Sequence, residues 1–135
     1  MMPLIVDHAA FERGHATATP EALSAALSGD VPRLLAWLAT RQGRAIGYAS
    51  ATIDFSTWAA RPYLHLDCLF VAQADRGKGV GKALLAAVRA HALEHGIHEL
   101  QWQTPVWNKG AILFYRGLGA QDVAKRRFRM VGADM

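Results

Sequence analysis

Cysteine is nearly absent from this chain: Cys68 is the only one in 135 residues. That excludes an internal disulfide and fits a reducing, cytoplasmic setting. Long hydrophobic runs are missing too, and the start, MMPLIVDH, lacks the basic opening and extended apolar core of a signal peptide. No membrane association is expected. Excess charge is small: the formal net charge is +4, with a pI near 9.6. This mildly favours anionic ligands but is too slight and too dispersed to imply nucleic acid. There is no internal repeat, low-complexity tract or linker, so a single domain over residues 1–135 is expected. What the chain does have is 52% hydrophobic and 19% charged residues, a balance that suits a folded globule with a real core.

Local patterns divide the chain into alternating elements. The opening MMPLIVDHAAFERG is helix-like, and TPEALSAAL carries a helix start, with Thr19 as N-cap and Pro20 in the first turn. RLLAWLATR (33–41) and RAIGYASATID (44–54) flank a Gln-Gly pair and predict a β-hairpin. YLHLDCLFV (63–71) is nearly all apolar, which predicts a central strand. From Val80 to His95, apolar residues recur at Leu85, Val88 and Ala92, predicting an amphipathic helix stopped by Gly96. HELQWQTPV (98–106) predicts a strand ending at Pro105. NKGAILFYRGLG predicts a helix capped by Asn108 and terminated before Gly119, and FRMV (128–131) predicts a strand closing the sheet. The sum is an α/β chain with a mixed sheet and helices on its faces.

The segment LFVAQADRGKGVGKALLAAV (69–88) passes from strand to helix through Gly77, Gly79 and Gly81. Glycines there let backbone approach a ligand, and the first N–H groups of the helix are free to bind an anion. Arg76, Lys78 and Lys82 add positive potential, so a phosphate or pyrophosphate is the expected ligand. A Walker A loop requires Gly-Lys-Ser/Thr, but Ala83 stands where the hydroxyl is needed. The dinucleotide fingerprint fails at its sixth position, occupied by Lys82.

Arg76-x-x-Gly79-x-Gly81 resembles the R/Q-x-x-G-x-G/A signature of the GCN5-related N-acetyltransferase (GNAT) superfamily. LFV before it, and VWN and FYRGLGA after it, match in spacing. STW, RGKGVG, WN, AILFY and GAQD together look most like the diamine N-acetyltransferase branch. The likeness is close from about Tyr63 to Gly119 and looser before that. The resemblance implies a mostly antiparallel sheet and acetyl-CoA as co-substrate. Leu69, Phe70 and Val71 would hold the pantetheine arm and supply an oxyanion donor, and Arg76, Gly77, Lys78, Gly79, Val80, Gly81 and Lys82 would take the pyrophosphate. Gln101 to Gln103 would line the gap that admits the cofactor, and Asn108 matches a cofactor-contacting asparagine. Family members also begin with a strand that is not evident here. An open sheet edge is an association hazard, so a homodimer is expected.

Acetyl transfer to an amine needs a base, because a lysine-like ammonium has a pKa of about 10.4, and an acid for the departing thiolate. The resemblance makes Tyr115 the acid and places Asp67 where the branch carries its glutamate. A carboxylate on so apolar a strand calls for a purpose, such as holding a water that relays the proton. His65, two residues earlier, is the reserve base. Glu12 and Trp58 are candidate contacts to the amine. The chain departs from the branch at Cys68, where an acid is expected, and Asp67 is one methylene shorter than glutamate. Both changes weigh against a diamine acceptor more than against acetyl transfer itself.

The expected function is therefore transfer of acetyl to a primary amine of a small molecule. A non-catalytic CoA-binding module and a protein lysine or N-terminal acetyltransferase stand as alternatives. HALEH (91–95) fits an H-x-x-E-H zinc pattern, but short patterns recur by chance and no metal is expected. Cys68 as a nucleophile would need a histidine, and on an ideal strand His65 faces away from it.

Overall fold

A computed structural model describes residues 1–135, apart from the side chain of Asp134. The chain divides into two compact units, Met1–Gln103 and Thr104–Met135.

The first unit opens with two helices, α1 (Met2–Phe11) and α2 (Pro20–Leu27). The Thr19 hydroxyl accepts from the Ala22 N–H, the capping bond that the sequence promised. Strands β1 (Leu35–Arg41), β2 (Arg44–Ser56) and β3 (Arg61–Val71) follow as an antiparallel meander. Gln42 and Gly43 both take positive φ, 52° and 76°, in the two-residue turn between β1 and β2, the geometry that matches strand twist. Helix α3 (Val80–Glu94) then crosses back, and β4 (Leu100–Gln101) pairs parallel to β3. The sheet order is β1-β2-β3-β4, so β3 is central, as expected, and the sheet is mixed and mostly antiparallel. Among the described residues no strand precedes α1, and β1 is an edge.

Two cores hold the sheet. On one face Ala49, Ala51, Leu64 and Leu66 pack against Leu84, Leu85, Val88 and Ala92 of α3. Full burial of side chains such as Leu64 and Val88 contributes about 1.5–3 kcal/mol each. On the other face Leu4 of α1 packs with Tyr48 and Phe70. Gly47 permits the first contact to be close: a Cβ there would stand 3.1 Å from the Phe70 carbonyl oxygen and 3.2 Å from Leu84 Cδ1.

The second unit holds α4 (Lys109–Gly117), whose N-cap Asn108 accepts from the Ala111 N–H at 3.3 Å. Two expectations fail. The strand over 98–106 shrinks to two residues, because only Leu64↔Leu100 and His65↔Gln101 pair before the chain turns toward Pro105, which has no N–H to give a ladder. FRMV forms no strand among the described residues; Phe128 and Met130 are exposed beside Lys125, Arg126 and Arg127. Their β-propensity has no sheet surface to fit, and propensity alone does not make a strand.

Candidate active site

The geometry turns on one irregularity in β3. Pairing with β2 runs from Ser56↔Arg61 to Ala51↔Leu66, then resumes at Ser50↔Cys68. Asp67 lies between with no partner on β2, a β-bulge. One extra residue reverses the alternation of faces. Leu64 and Leu66 pack on the α3 side, and beyond the bulge Leu69 and Val71 do so. Cys68 and Phe70 therefore turn to the α1 side, the side taken by His65 between Leu64 and Leu66. Ideal alternation separates Cys68 from His65, and the bulge overturns that expectation.

Asp67 is likewise not enclosed in apolar surroundings. Its side chain is 59% exposed, with His65 Nε2 3.9 Å away. The Cys68 thiol donates to its Oδ2 at 3.7 Å. Burial pushes the Cys68 thiol up from its ordinary pKa, while hydrogen bonds from Tyr48 and Ser50 pull against it. Burial likewise raises the Tyr48 phenol, and the nearby Cys68, Asp67 and Glu12 add to the effect.

Helix α1 supplies the opposing wall. Glu12 is not a free surface carboxylate: His8 Nε2 is 2.7 Å from its Oε2, an i,i+4 contact, and His8 Nδ1 is 2.7 Å from the Tyr48 hydroxyl. The His8 ring stacks on Phe70 at 5.0 Å. The Arg76 guanidinium lies 4.9 Å over Phe11 and 5.2 Å over Phe70, and its Nε donates to the Val71 carbonyl at 2.9 Å. Arg76 thus ties the glycine loop to α1 and β3. Sequence reasoning passed over His8 and Tyr48. The spacing of His8 and Glu12 was a signal for the first, but nothing local marked the second.

Between Val71 and α3 the chain makes a short 3-10 turn, Gln73–Asp75. Asp75 is buried, and Arg41 at the end of β1 pairs with it at 3.2 Å. That pair, and the Ala72 N–H donated to the Ile46 carbonyl, fix the root of the loop. Gly77 and Gly79 then take φ of 76° and 82°, and a Cβ at either would meet nothing within 4 Å. Gly79 is the N-cap of α3 and offers no side-chain cap, so the first N–H groups of the helix have no intrahelical acceptor. Lys78 donates to the Ala74 carbonyl, and Lys82 is exposed one turn into α3. The residues present suit a polyanion: open backbone, helix N-terminus and flanking lysines. Beyond His65, β3 has no pairing with β4 among the described residues, so on that side Leu66 to Val71 form an unpaired stretch of strand.

Trp58 does not join this cluster. It is fully exposed in the turn between β2 and β3, before Arg61, and Arg61 itself stands six strand residues, roughly 20 Å, from Asp67. Asn108 and Tyr115 belong to the second unit, where Asn108 caps α4 and the Tyr115 ring makes an edge contact with Phe114 at 5.4 Å. His91 and His95 stack at 4.2 Å on α3, and no cluster suited to a metal occurs among the described residues.

Known proteins resemble this chain in sequence and fold. The profile of the Acetyltransferase (GNAT) family matches residues 6–120, spanning both compact units. Thialysine N-epsilon-acetyltransferase of Bos taurus is 33% identical over 94 residues, covering 67% of this chain and 55% of that protein. L-ornithine N5-acetyltransferase NATA1 of Arabidopsis thaliana is 34% identical over 68 residues, 50% of this chain and 30% of that one. The solved structure of aminoglycoside N-acetyltransferase AAC(6')-Iy in complex with CoA has a TM-score of 0.71 at 27% identity, covering 82% of this chain and 74% of that one. The chain spans about half the length of the curated relatives it first matches. With residues 6–120 matched by the family profile, this chain belongs to the GNAT acetyltransferase family.

Proposed function

We propose that the protein is an acetyl-CoA-dependent N-acetyltransferase acting on a primary amine of a small molecule. The observation that carries this is the sequence of features along β3. Pairing with β4 stops after His65, Asp67 bulges out, and the strand leads into an open glycine loop at the N-terminus of α3. A thioester arm entering the gap would find backbone from Leu69 to Val71, and its pyrophosphate would meet N–H groups of Gly77 to Lys82.

Direct transfer assigns each residue a task. Asp67, exposed at the bulge, accepts the acceptor's proton directly or through a water, with His65 in reserve. A strand N–H of Leu69 or Phe70 donates to the oxygen that becomes negative. Tyr115 protonates the leaving thiolate, a role that rests on its motif, FYRGLGA. Phe11 and Glu12 of α1 bound the acceptor side, held there by Phe70, Arg76 and His8. The relatives named for thialysine and ornithine favour an acceptor with an amine at the end of an amino-acid side chain. The unpaired β1 edge supports a homodimer. The single cysteine supports a cytoplasmic setting.

Calorimetry with acetyl-CoA, followed by thiol release across thialysine, ornithine, diamines and an aminoglycoside, tests the reading. Binding with release on one class is the expected result. Binding without release on any amine would instead support a CoA-binding module, and absence of binding would remove both.

A further inference from the structure

The glycine loop has little of its own to hold its shape. Gly77 and Gly79 take positive φ, and where a Cβ would stand nothing lies within 4 Å, so packing on that side leaves the backbone unrestrained. Yet several N–H groups hold a phosphate together at little cost only if they converge before it arrives. The restraint must come from the residues that lead into the loop. Local bonds run from the Asp75 N–H to the Ala72 carbonyl at 2.9 Å, from Arg76 Nε to the Val71 carbonyl at 2.9 Å and from Lys78 Nζ to the Ala74 carbonyl at 3.3 Å. Other bonds tie the segment to the sheet. The Ala72 N–H donates to the Ile46 carbonyl on β2 at 2.8 Å, and Arg41 Nη1 on β1 donates to Asp75 Oδ1 at 3.2 Å.

The Arg41 pair follows from strand geometry. Leu35, Trp37 and Ala39 alternate along β1 onto the α3 face, where they pack against its core. Arg41, two residues further, falls on the same face at the end of the strand and there meets the acid that precedes the loop. The two partners differ in burial: the Asp75 side chain is 8% exposed and that of Arg41 43%. A carboxylate so enclosed needs its cation, because a buried charge left alone is strongly destabilising. The guanidinium has no such need, since water solvates its exposed edge. The pair therefore constrains Asp75, and with it the loop that starts at the next residue.

We propose that Arg41 is a positioning residue for the cofactor: by holding Asp75 it keeps the glycine loop in the shape that receives a pyrophosphate, and it touches no ligand itself. The inference rests on the acetyl-CoA reading of the loop. It gives a residue of the sheet's edge strand, 34 positions before Asp75, a share in cofactor affinity. An asymmetry follows from the burial. Removing Arg41 leaves a buried carboxylate alone, which draws Asp75 toward solvent and opens the root of the loop. Neutralising Asp75 leaves only an exposed guanidinium, and it also removes the charge that would have made the loss of Arg41 harmful. A loop that keeps its receptive shape about a tenth of the time binds about tenfold more weakly.

Calorimetry of acetyl-CoA with the wild type, Arg41→Met, Asp75→Asn and the double variant tests this. Arg41→Met should raise Kd about tenfold, Asp75→Asn by less than about threefold, and the double variant should return to within about threefold of the wild type. A double variant as weak as Arg41→Met would mean that Arg41 meets the phosphate directly, and the proposal fails. Arg41→Lys, which keeps a cation within reach of Asp75, should retain most of the affinity; a Kd as weak as that of Arg41→Met would overturn the proposal. If Arg41→Met does not fold, the same comparisons are read in Arg41→Gln. S-acetylpantetheine, which ends before the pyrophosphate, separates positioning of the loop from general loosening. In Arg41→Met its kcat/KM should hold while that of acetyl-CoA falls about tenfold. Equal losses for the two thioesters overturn the proposal. Amide NMR of Gly77, Gly79 and Gly81 reads the loop without a ligand. Their signals should move in Arg41→Met and return in the double variant, and signals that stay in place overturn the latch whether or not acetyl-CoA binds. If the wild type binds no acetyl-CoA while these signals respond as expected, the acetyltransferase reading fails and the hold of Arg41 on the loop stands.

Discussion

At the scale of the residue, Asp67 and Cys68 show how neighbours in sequence come to have different chemistry. Asp67 occupies the bulge and is solvated, whereas Cys68 faces the α1 core, where burial raises its pKa. A thiol whose folded pKa is raised is favoured in its neutral form, so ionising it costs stability. That contribution is complete below the ordinary thiol pKa and is lost as pH rises through the folded value. Cys68 should therefore alkylate more slowly than a free thiol at pH 8.5, and Tyr48→Phe, which removes a donor to the thiolate, should slow it further. Iodoacetamide labelling followed by intact mass reads this directly, because the chain has one cysteine. Asp67→Asn keeps size and shape but cannot take a proton. It should lower kcat by about 10²–10⁴-fold with acetyl-CoA binding intact. Loss of binding in step with kcat would show that Asp67 serves structure instead of proton transfer. Tyr115→Phe should lower kcat over a similar range if the phenol supplies the leaving-group proton, with the loss shrinking at high pH as the wild-type phenol ionises.

At the scale of the element, the contact between sheet and α3 depends on an absent side chain. Gly47 lies opposite Val71 on β3, and a methyl there would come within 3.3 Å of Val80 Cγ1 as well as the Phe70 oxygen and Leu84 Cδ1. Leu84 can adjust; the carbonyl cannot. Gly47→Ala should cost about 1–3 kcal/mol by overpacking, read as a shift in denaturant midpoint without a change in slope. It should also displace the start of α3 and so weaken acetyl-CoA binding. Much of this layout was legible in the sequence because it is local. Thr19, Asn108 and Gly96 punctuate helices by bonds within a few residues, and Gln42-Gly43 sets its hairpin by backbone conformation alone. What was not legible depends on partners distant in sequence. The bulge at Asp67 exists only in the register with β2, and the face on which Cys68 lies follows from it. Asp75 reads as a loop acid until Arg41, 34 residues away, is seen to bury it. FRMV looked like a strand because its residues suit one, yet a strand needs a neighbour.

At the scale of the whole molecule, the two sides of the sheet carry different tasks. The α3 side is an apolar core that ends in the loop, whereas the α1 side carries the hydrogen-bonded Glu12, His8 and Tyr48. Phe70 and Arg76 join them, since Arg76 leaves the loop to stack on rings from both α1 and β3. A ligand that orders the loop should therefore stabilise more than the loop. If acetyl-CoA binds the folded chain and not the unfolded one, as proposed, then at a hundredfold excess over Kd it should add about 2.7 kcal/mol of stability. For a chain of this length that corresponds to a rise in Tm of roughly 8–12 °C. With phosphate taken by helix N–H groups and exposed lysines, as proposed, the gain should shrink when salt is raised from 50 to 500 mM. In Arg76→Lys the charge is kept but the planar stack on Phe11 and Phe70 is lost. If Arg76 acts as the joint between loop and α1, this variant should keep most of its acetyl-CoA affinity and its salt dependence while KM for the amine rises several-fold. Equal losses for both ligands would instead make Arg76 a direct phosphate ligand and detach α1 from the loop.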